Sequence, residues 1–465
     1  MTVTIHLPGE TIDVTEELLE RYNVNAPRYT SYPTSPWWND SFGEADYRRV
    51  IAESNQSDRP VSLYMHLPFC ESMCLFCGCN VIVRSNHDGA ASYLPMLKAE
   101  IDKITGMLDP SRPTVQFHWG GGTPTYFSPA QLTDLFTYTR ERVTFAEDAE
   151  IGVELDPRVT TLEHLDALKA LGFNRLSLGV QDFDPDVQKA IHRIQPVEMV
   201  TDLVNACRER GFNSLNFDLI YGLPGQTPAT FTHTLDQVIT LRPERIALFS
   251  YGHVPWVKKQ QQVLEGTIPL GTDKFQLFCI GLERLTQAGY VYVGMDHFAL
   301  PEDELCVAQR DGSLHRNFQG YTTKSGADLF AMGITGISEL NRSYAQNVRG
   351  LHEYEAAMGE DRLPILRGVE LTDEDIVRRA AISDLLCNGF LDKATFSQTW
   401  GIDVDQHFAA ELAQLEPLRR DGLLEPREDA IASTTLGRIF IRVIAMVFDQ
   451  YVQQPGEGPR HSRTV

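Results

Sequence analysis

Four cysteines fall within one ten-residue stretch, Cys70, Cys74, Cys77 and Cys79 in YMHLPFCESMCLFCGCN. Structural zinc usually takes two C-x2-C pairs separated by a dozen or more residues, so that two knuckles can face one metal. No second pair exists here, since Cys207, Cys279, Cys306 and Cys387 stand alone. A disulfide framework is not expected with 8 cysteines over 465 residues. Nor does the N-terminus, MTVTIHLPGETIDVTEELLERYN, read as a secretory signal: it has acidic residues where a basic patch and an apolar run belong. Taken as C-x3-C-x2-C, the first three thiolates hold three irons of a cubane cluster and leave the fourth iron open to bind and activate a ligand. A closed electron-transfer cluster is the alternative. It takes Cys79 as its fourth ligand.

The rest of the composition limits the partners. Formal net charge is -22, which argues against nucleic acid, because a phosphate backbone needs a basic footprint. An anionic substrate would need local arginines or lysines to overcome the same repulsive field. No run approaches the roughly 18 to 20 apolar residues that span a bilayer, so no membrane insertion is expected. A cytoplasmic location follows, where thiols stay reduced.

From residue 61 the chain alternates short apolar runs with amphipathic stretches. Strands are expected at Val61–His66, Val115–Trp119, Ile151–Leu155, Arg175–Val180, Ser214–Ile220, Arg245–Ser250 and Tyr290–Met295. Most lack strict alternation, as parallel strands covered on both faces do. Helices are expected between them, for example over Pro129–Val143, Thr160–Leu171 and Pro228–Leu241. Six or seven such βα units fall short of a closed eight-fold barrel. The fold class predicted is α/β, a partial, open βα barrel over 56–300. An N-terminal extension over 1–55 contributes to the substrate pocket. Residues 301–365 link and complete the pocket, and 366–465 form a mainly helical C-terminal domain in which Val404–Asp421 reads as one helix.

Candidate functional residues sit where barrel chemistry gathers, at the carboxyl ends of strands. Gly120-Gly121-Gly122-Thr123-Pro124 follows the second strand, and its glycines permit close backbone approach. The third strand ends in Glu154-Leu155-Asp156-Pro157-Arg158, where Glu154 can accept hydrogen bonds from hydroxyls or an ammonium. Gln181 follows the fourth strand, and Arg193 further on suits a carboxylate partner through its planar fork. Asp218, a charge within an apolar strand, is expected to face the interior with a partner. Tyr64 and His66 share one face of the strand that leads into the cysteine loop. Phe76, inside that loop, can cover an adenine ring or shield the cluster.

These motifs resemble the radical S-adenosylmethionine (SAM) superfamily, with GGTP as its second-strand motif. The chain is further identified as a member of the oxygen-independent coproporphyrinogen III oxidases (dehydrogenases). That likeness runs through PRYTSYPT at 27–34, the CGC extension at 77–79, WGGGTPTYF at 119–127, GVQDF at 179–183, NFDLIYGLPGQTP at 216–228 and GMDHFALPEDELCVAQRDGSLHRNFQGYTT at 294–323. The resemblance implies a [4Fe–4S] cluster on Cys70, Cys74 and Cys77, with Cys79 left unligated near the substrate. It implies S-adenosyl-L-methionine, two molecules per chain, held by Tyr64, Phe76, Gly121, Gly122, Thr123, Glu154, Gln181, Arg193, Asp218, Gly252 and Ile337. At Gly252 relatives are expected to carry alanine. The implied reaction is one of porphyrin (haem) biosynthesis. A 5′-deoxyadenosyl radical takes a hydrogen from each of two propionate side chains, which become vinyl groups, with Tyr64, His66 and Cys79 as the expected catalytic residues. The expected partners are the tetrapyrrole substrate, an electron donor such as flavodoxin or ferredoxin, and an unknown acceptor, in a monomer. Arg28 and Arg316 are expected to meet the substrate carboxylates. A sister group that serves as a haem-binding chaperone lacks the fourth cysteine and PRYTSYPT, and both are present here.

Overall fold

The computed structural model describes residues 2–452 and 462–464. Its spine is one 12-stranded sheet. The strands are β1 (Val61–Leu67), β2 (Thr114–Gly121), β3 (Phe145–Leu155), β4 (Arg175–Gln181), β5 (Leu215–Tyr221), β6 (Arg245–Ser250), β7 (Val291–Gly294), β8 (His297–Ala299), β9 (Asp328–Met332), β10 (Ile337–Leu340), β11 (Ser343–Asn347) and β12 (Ile365–Glu370). Their spatial order is β7-β8-β6-β5-β4-β3-β2-β1-β9-β10-β11-β12, with the two end strands unpaired to each other. Strands β9, β1, β2, β3, β4, β5 and β6 run parallel, each to the next. The remaining strands add antiparallel at either end. The expected open barrel is therefore the observed architecture.

Strand β2 displays the two-residue period that builds it. Phe117 and Trp119 are fully buried and meet Phe136 of the following helix α2 (Pro129–Arg140), at 5.2 and 5.9 Å between ring centres. Gln116 and His118 face the other way, into a cavity. The helices that return the chain start at firm signals. Ser128 accepts from the Gln131 N–H ahead of α2, Thr161 from the His164 N–H and Thr227 from the Thr230 N–H, with Pro129 and Pro228 preset for a first turn. The parallel strands thus all end on one rim of the barrel, where the helices that follow them begin.

Two readings of the strands need correction. Tyr290–Met295 is not a parallel strand. Only Met295 and Asp296 separate β7 from β8, so the pair forms an antiparallel hairpin against β6. A parallel return would need a crossover of a dozen or more residues. The seventh parallel strand is instead β9, from the stretch read as linking. It is buried along its whole length. Its first residue, Asp328, hid it, because a charge seldom opens a central strand. Here Arg112 Nη2 donates to Asp328 at 2.6 Å and Arg59 Nε at 2.9 Å.

Residues after β12 are mainly helical: Asp373–Asn388, Lys393–Trp400 and Ala409–Arg420 among others. Val404–Asp421 is two helices rather than one. The break falls at Phe408, which leaves helical geometry while its buried ring sits 5.1 Å from that of Phe448. The end of this region, 453–461 and 465, lies outside the described residues. A two-stranded sheet pairs Phe390–Asp392 with Ala430–Ala432. The N-terminal segment begins with a hairpin, Thr2–Leu7 against Glu10–Thr15, and then crosses to the far end of the chain. There Tyr22 donates to Asp421 at 2.6 Å and Tyr29 to Asp449 at 3.0 Å. No helix among the described residues is long and apolar enough to cross a membrane.

Candidate active site

The inner face of the curved sheet encloses a cavity of about 560 Å³. Its floor is polar. Gln116 donates to Glu150 at 2.8 Å, Arg175 pairs with Glu150 at 2.8 Å, and Arg245 pairs with Asp303 at 2.8 Å. Its mouth is the cysteine loop. Cys70, Cys74, Cys77 and Cys79 all line the cavity, and all eight cysteines of the chain are free thiols.

Each thiol has a distinct setting. Cys70 Sγ lies 3.4 Å from Thr123 Oγ1, and burial pushes the thiol up to about 12. Cys74 Sγ accepts from Arg158 Nη2 and Arg193 Nη1, each at 3.5 Å. The Cys77 thiol is drawn down to about 6, first by a hydrogen bond from the Cys79 thiol and further by the charges of Lys258 and Arg193. A cubane takes one thiolate at each of three corners, so its cysteines are not gathered about one point. Among the described residues no three His, Cys, Asp or Glu side chains surround a single ion position. The donor set fits the cluster: three soft ligands on one wall, with two guanidiniums beside the middle one to balance thiolate charge.

The glycine run lies against this loop because nothing larger fits. Gly121 has φ +111°, and a Cβ there would strike the His66 ring. A Cβ on Gly122 would stand 2.5 Å from the carbonyl carbon of Pro68. The freed backbone does chemical work, since the Gly121 N–H donates to Glu154 Oε2 at 3.0 Å. Burial alone would raise the Glu154 carboxyl. The hydrogen bond and charge of His118, 3.6 Å away, and the Gly121 N–H instead hold it below its ordinary value. Asp218, on β5, goes the other way. Burial and the Glu154 charge raise it to about 7, although Ser177 and Asn216 donate to it at 3.1 and 2.8 Å. Two carboxyls on neighbouring walls are therefore split in acidity.

Of the residues expected at the site, Phe76, Gly121, Gly122, Thr123, Glu154, Gln181, Arg193, Asp218 and Gly252 line the same cavity as the cysteines. Gln181 does so with φ +67°, a strained setting for a side-chain-bearing residue. A Cβ on Gly252 meets nothing within 4 Å, so the alanine expected in relatives would fit. Tyr64 and His66 stand behind the wall. The Tyr64 ring stacks on His118 at 6.1 Å, and its hydroxyl lies 3.1 Å from His66 Nδ1. His66 Nε2 lies 2.9 Å from the Asn80 carbonyl, which can only accept. That contact assigns the proton to Nε2 and leaves Nδ1 to accept from Tyr64. Burial lowers the His66 pKa, so the ring is neutral near pH 7. Ile337 is not brought to the cavity wall; it packs with Trp38, Tyr344 and Leu371. Arg28 and Arg316 also lie off this cavity, Arg28 paired with Asp296 and Arg316 donating to the Arg28 carbonyl at 2.6 Å.

Sequence reasoning missed the pair that organises Arg193. Asp156 accepts from Arg193 Nη1 at 3.0 Å and from Arg158 Nη2 at 2.6 Å, and those guanidiniums are the two on Cys74. The signal was there, a carboxylate and an arginine two residues apart at a strand end. The floor residues Arg175 and Arg245 gave no such signal, because each opens a strand as a single charge.

Known proteins resemble this chain over its whole length. A family model described as the Radical SAM superfamily matches residues 64–238, and one described as the HemN C-terminal domain matches 371–440. An oxygen-independent coproporphyrinogen III oxidase of Salmonella typhimurium is 44% identical over 98% of this chain and 99% of its own length. One from Synechocystis is 41% identical over 98% and 99%. The chain belongs to the oxygen-independent coproporphyrinogen III oxidase family. The solved structure of the Escherichia coli member, described as a radical SAM enzyme, superposes with a TM-score of 0.88 at 44% identity, covering 91% of this chain and 97% of that one. The first matched segment spans this chain's cysteine loop and glycine run, and the second lies within its mainly helical C-terminal region.

Proposed function

We propose that this chain oxidises coproporphyrinogen III without oxygen. Each of two propionate side chains loses CO2, a proton and two electrons to become vinyl, giving protoporphyrinogen IX for haem synthesis. The observation that carries the reading is the triad of free thiols on the wall of a cavity with a polar floor, in a chain alike end to end to oxidases of that name. Cys70, Cys74 and Cys77 would hold a [4Fe–4S] cluster. Bound there together with S-adenosylmethionine, that cluster would supply the one-electron chemistry needed to remove a hydrogen from the substrate.

The chain's own residues do the rest. Arg158 and Arg193, fixed by Asp156, place positive charge beside Cys74. Glu154, held ionised, offers an acceptor to an ammonium or to ribose hydroxyls. Asp218 serves the same wall, and Gly121, Gly122 and Thr123 let a ligand approach the backbone closely. Gln181, Gly252 and Phe76 complete that wall, while Tyr64 and His66 brace it from behind, and Ile337 lies further out. A second S-adenosylmethionine is part of this reading. So are a flavodoxin- or ferredoxin-like donor, a separate acceptor, a monomer and a cytoplasmic location, the last supported by eight unpaired thiols.

The test is an anaerobic turnover assay with reconstituted protein, S-adenosylmethionine, a one-electron reductant, an acceptor and coproporphyrinogen III. Protoporphyrinogen IX and 5′-deoxyadenosine are expected together, and Cys74→Ala abolishes both. Cleavage of S-adenosylmethionine without a vinyl product would overturn the substrate.

A further inference from the structure

A second, narrower crevice adjoins the cavity, and Ser250 belongs to the walls of both. It lies where three parts of the chain meet: the N-terminal segment at Arg28, the barrel rim at Tyr221 and Ser250, and the C-terminal region at Arg442. Its charge is opposite to that of the whole molecule. Arg28 and Arg442 line it, Lys274 and Arg316 stand close enough for their charges to be felt there, and the only carboxylate of its wall among the described residues is Asp296. In a chain of net charge -22 this is a concentrated exception.

The four cations have different tasks. Arg442 is spent on the fold: it donates to the carbonyls of Pro27 (3.0 Å), Ala26, Ser462 (3.1 Å) and Arg463 (2.7 Å), which fixes the segment that carries Arg28. The other three keep donors in hand. Lys274 Nζ donates to the Tyr251 carbonyl at 2.9 Å and otherwise faces the Tyr221 ring, 5.8 Å from its centre. Arg316 has a buried Nε with no partner. Arg28 meets Asp296 while its side chain stays 32% exposed. Burying like charges side by side is costly unless an anion arrives. That cost is visible in the groups themselves. Burial, reinforced by Arg442 and Arg316, pulls Arg28 down to about 9, and burial with Arg28 and Arg442 pulls Lys274 down to about 8. The field reaches the main cavity too. His297, on its wall, is pushed down to about 3 by burial and then by Arg316, Arg28 and Arg245.

We propose that Arg28, Lys274 and Arg316 form an anion subsite that takes a propionate carboxylate of the tetrapyrrole, with Arg442 as the residue that positions Arg28. This rests on the substrate reading above. It places one acid-bearing side chain of the substrate at Ser250, where the crevice opens into the cavity, while the macrocycle occupies the cavity itself.

The experiment is an anaerobic fluorescence titration of the full chain with coproporphyrin III, the stable oxidised form, and with its uncharged tetramethyl ester. Wild type binds the tetra-acid more tightly than the ester. Lys274→Met and Arg28→Met weaken tetra-acid binding about tenfold or more, as loss of a charge-assisted contact does. Lys274→Arg restores it, and neither Met variant changes ester binding. The thermal midpoint of unliganded Lys274→Met does not fall, since a repulsive partner has been removed. A merely structural role predicts the reverse: a lower midpoint with unchanged affinity of the folded fraction. Tetra-acid affinity in both Met variants equal to wild type overturns the subsite and leaves the proposed function standing. Failure of wild type to bind the tetra-acid overturns the substrate reading itself, and the subsite with it.

Discussion

At the scale of single residues, the site separates thiols by what surrounds them rather than by their spacing. Cys79 lines the cavity beside Cys77 and draws that thiol's pKa down, and the proposed function leaves Cys79 outside the ligand set. Cys79→Ser keeps a hydroxyl donor in that place. Iron content and the visible absorbance of the reconstituted protein are expected to match wild type, whereas Cys74→Ala loses both. Loss of the cluster in Cys79→Ser would instead favour four-cysteine ligation. Asp156 has a different burden, because the buried Arg193 and the half-buried Arg158 converge on it. Removing one member of a buried ion pair typically costs about 3–5 kcal/mol, so Asp156→Asn is expected to lower the unfolding free energy obtained from urea titration by that order. Burial would raise this carboxyl, but the charge of Arg193 and the hydrogen bond and charge of Arg158 hold it below its ordinary value. A depressed carboxyl contributes stability that is present above its unfolded pKa of about 4 and is lost as pH falls through the folded value. Wild type therefore loses stability below about pH 4 in a component that Asp156→Asn lacks, as urea titrations from pH 7 to pH 3 would reveal.

At the scale of elements, close approach decides which glycines matter. A Cβ on Gly122 must displace backbone at Pro68, which flanks the cysteine loop, so Gly122→Ala is expected to cost about 1–3 kcal/mol and to lower iron content with it. Gly252→Ala, with open space around the added methyl, is expected to stay within about 0.5 kcal/mol. Thermal midpoints of the two variants check both. The same scale explains what could be read before the fold was known. Six parallel strands were legible because each is a largely apolar run followed by an amphipathic helix, in several cases a capped one, as at Trp119, Ser128 and Pro129. The seventh was hidden because β9 is short and opens with Asp328, a charge whose partners Arg59 and Arg112 come from distant positions. The hairpin β7–β8 was misread for a related reason. Its strands carry the same apolar pattern as a parallel strand, and only the two-residue turn distinguishes them. Site residues next to a motif were legible, and the pairing of Asp156 with Arg158 was signalled by their two-residue spacing; Arg175 and Arg245 act through partners that meet them only in space.

At the scale of the whole molecule, two electrostatic effects oppose each other. An excess of carboxylates repels itself across the surface, which destabilises the compact state, and salt relieves that repulsion because the screening length falls from about 10 Å at 0.1 M to about 3 Å at 1 M. The thermal midpoint of the unliganded protein is therefore expected to rise between 0.05 and about 0.5 M sodium chloride, at pH 7.5. The cation cluster of Arg28, Lys274 and Arg316 beside the crevice has the opposite sign, and its attraction for a polycarboxylate weakens under the same screening. Salt should then stabilise the empty chain while loosening its hold on coproporphyrin III, two trends of opposite direction in one titration. A protein whose cations were spread evenly would show both quantities responding to its net charge alone, and salt would then tighten binding of an anion to an acidic chain. The sign of the affinity change thus reports whether local charge or net charge governs the approach of the substrate.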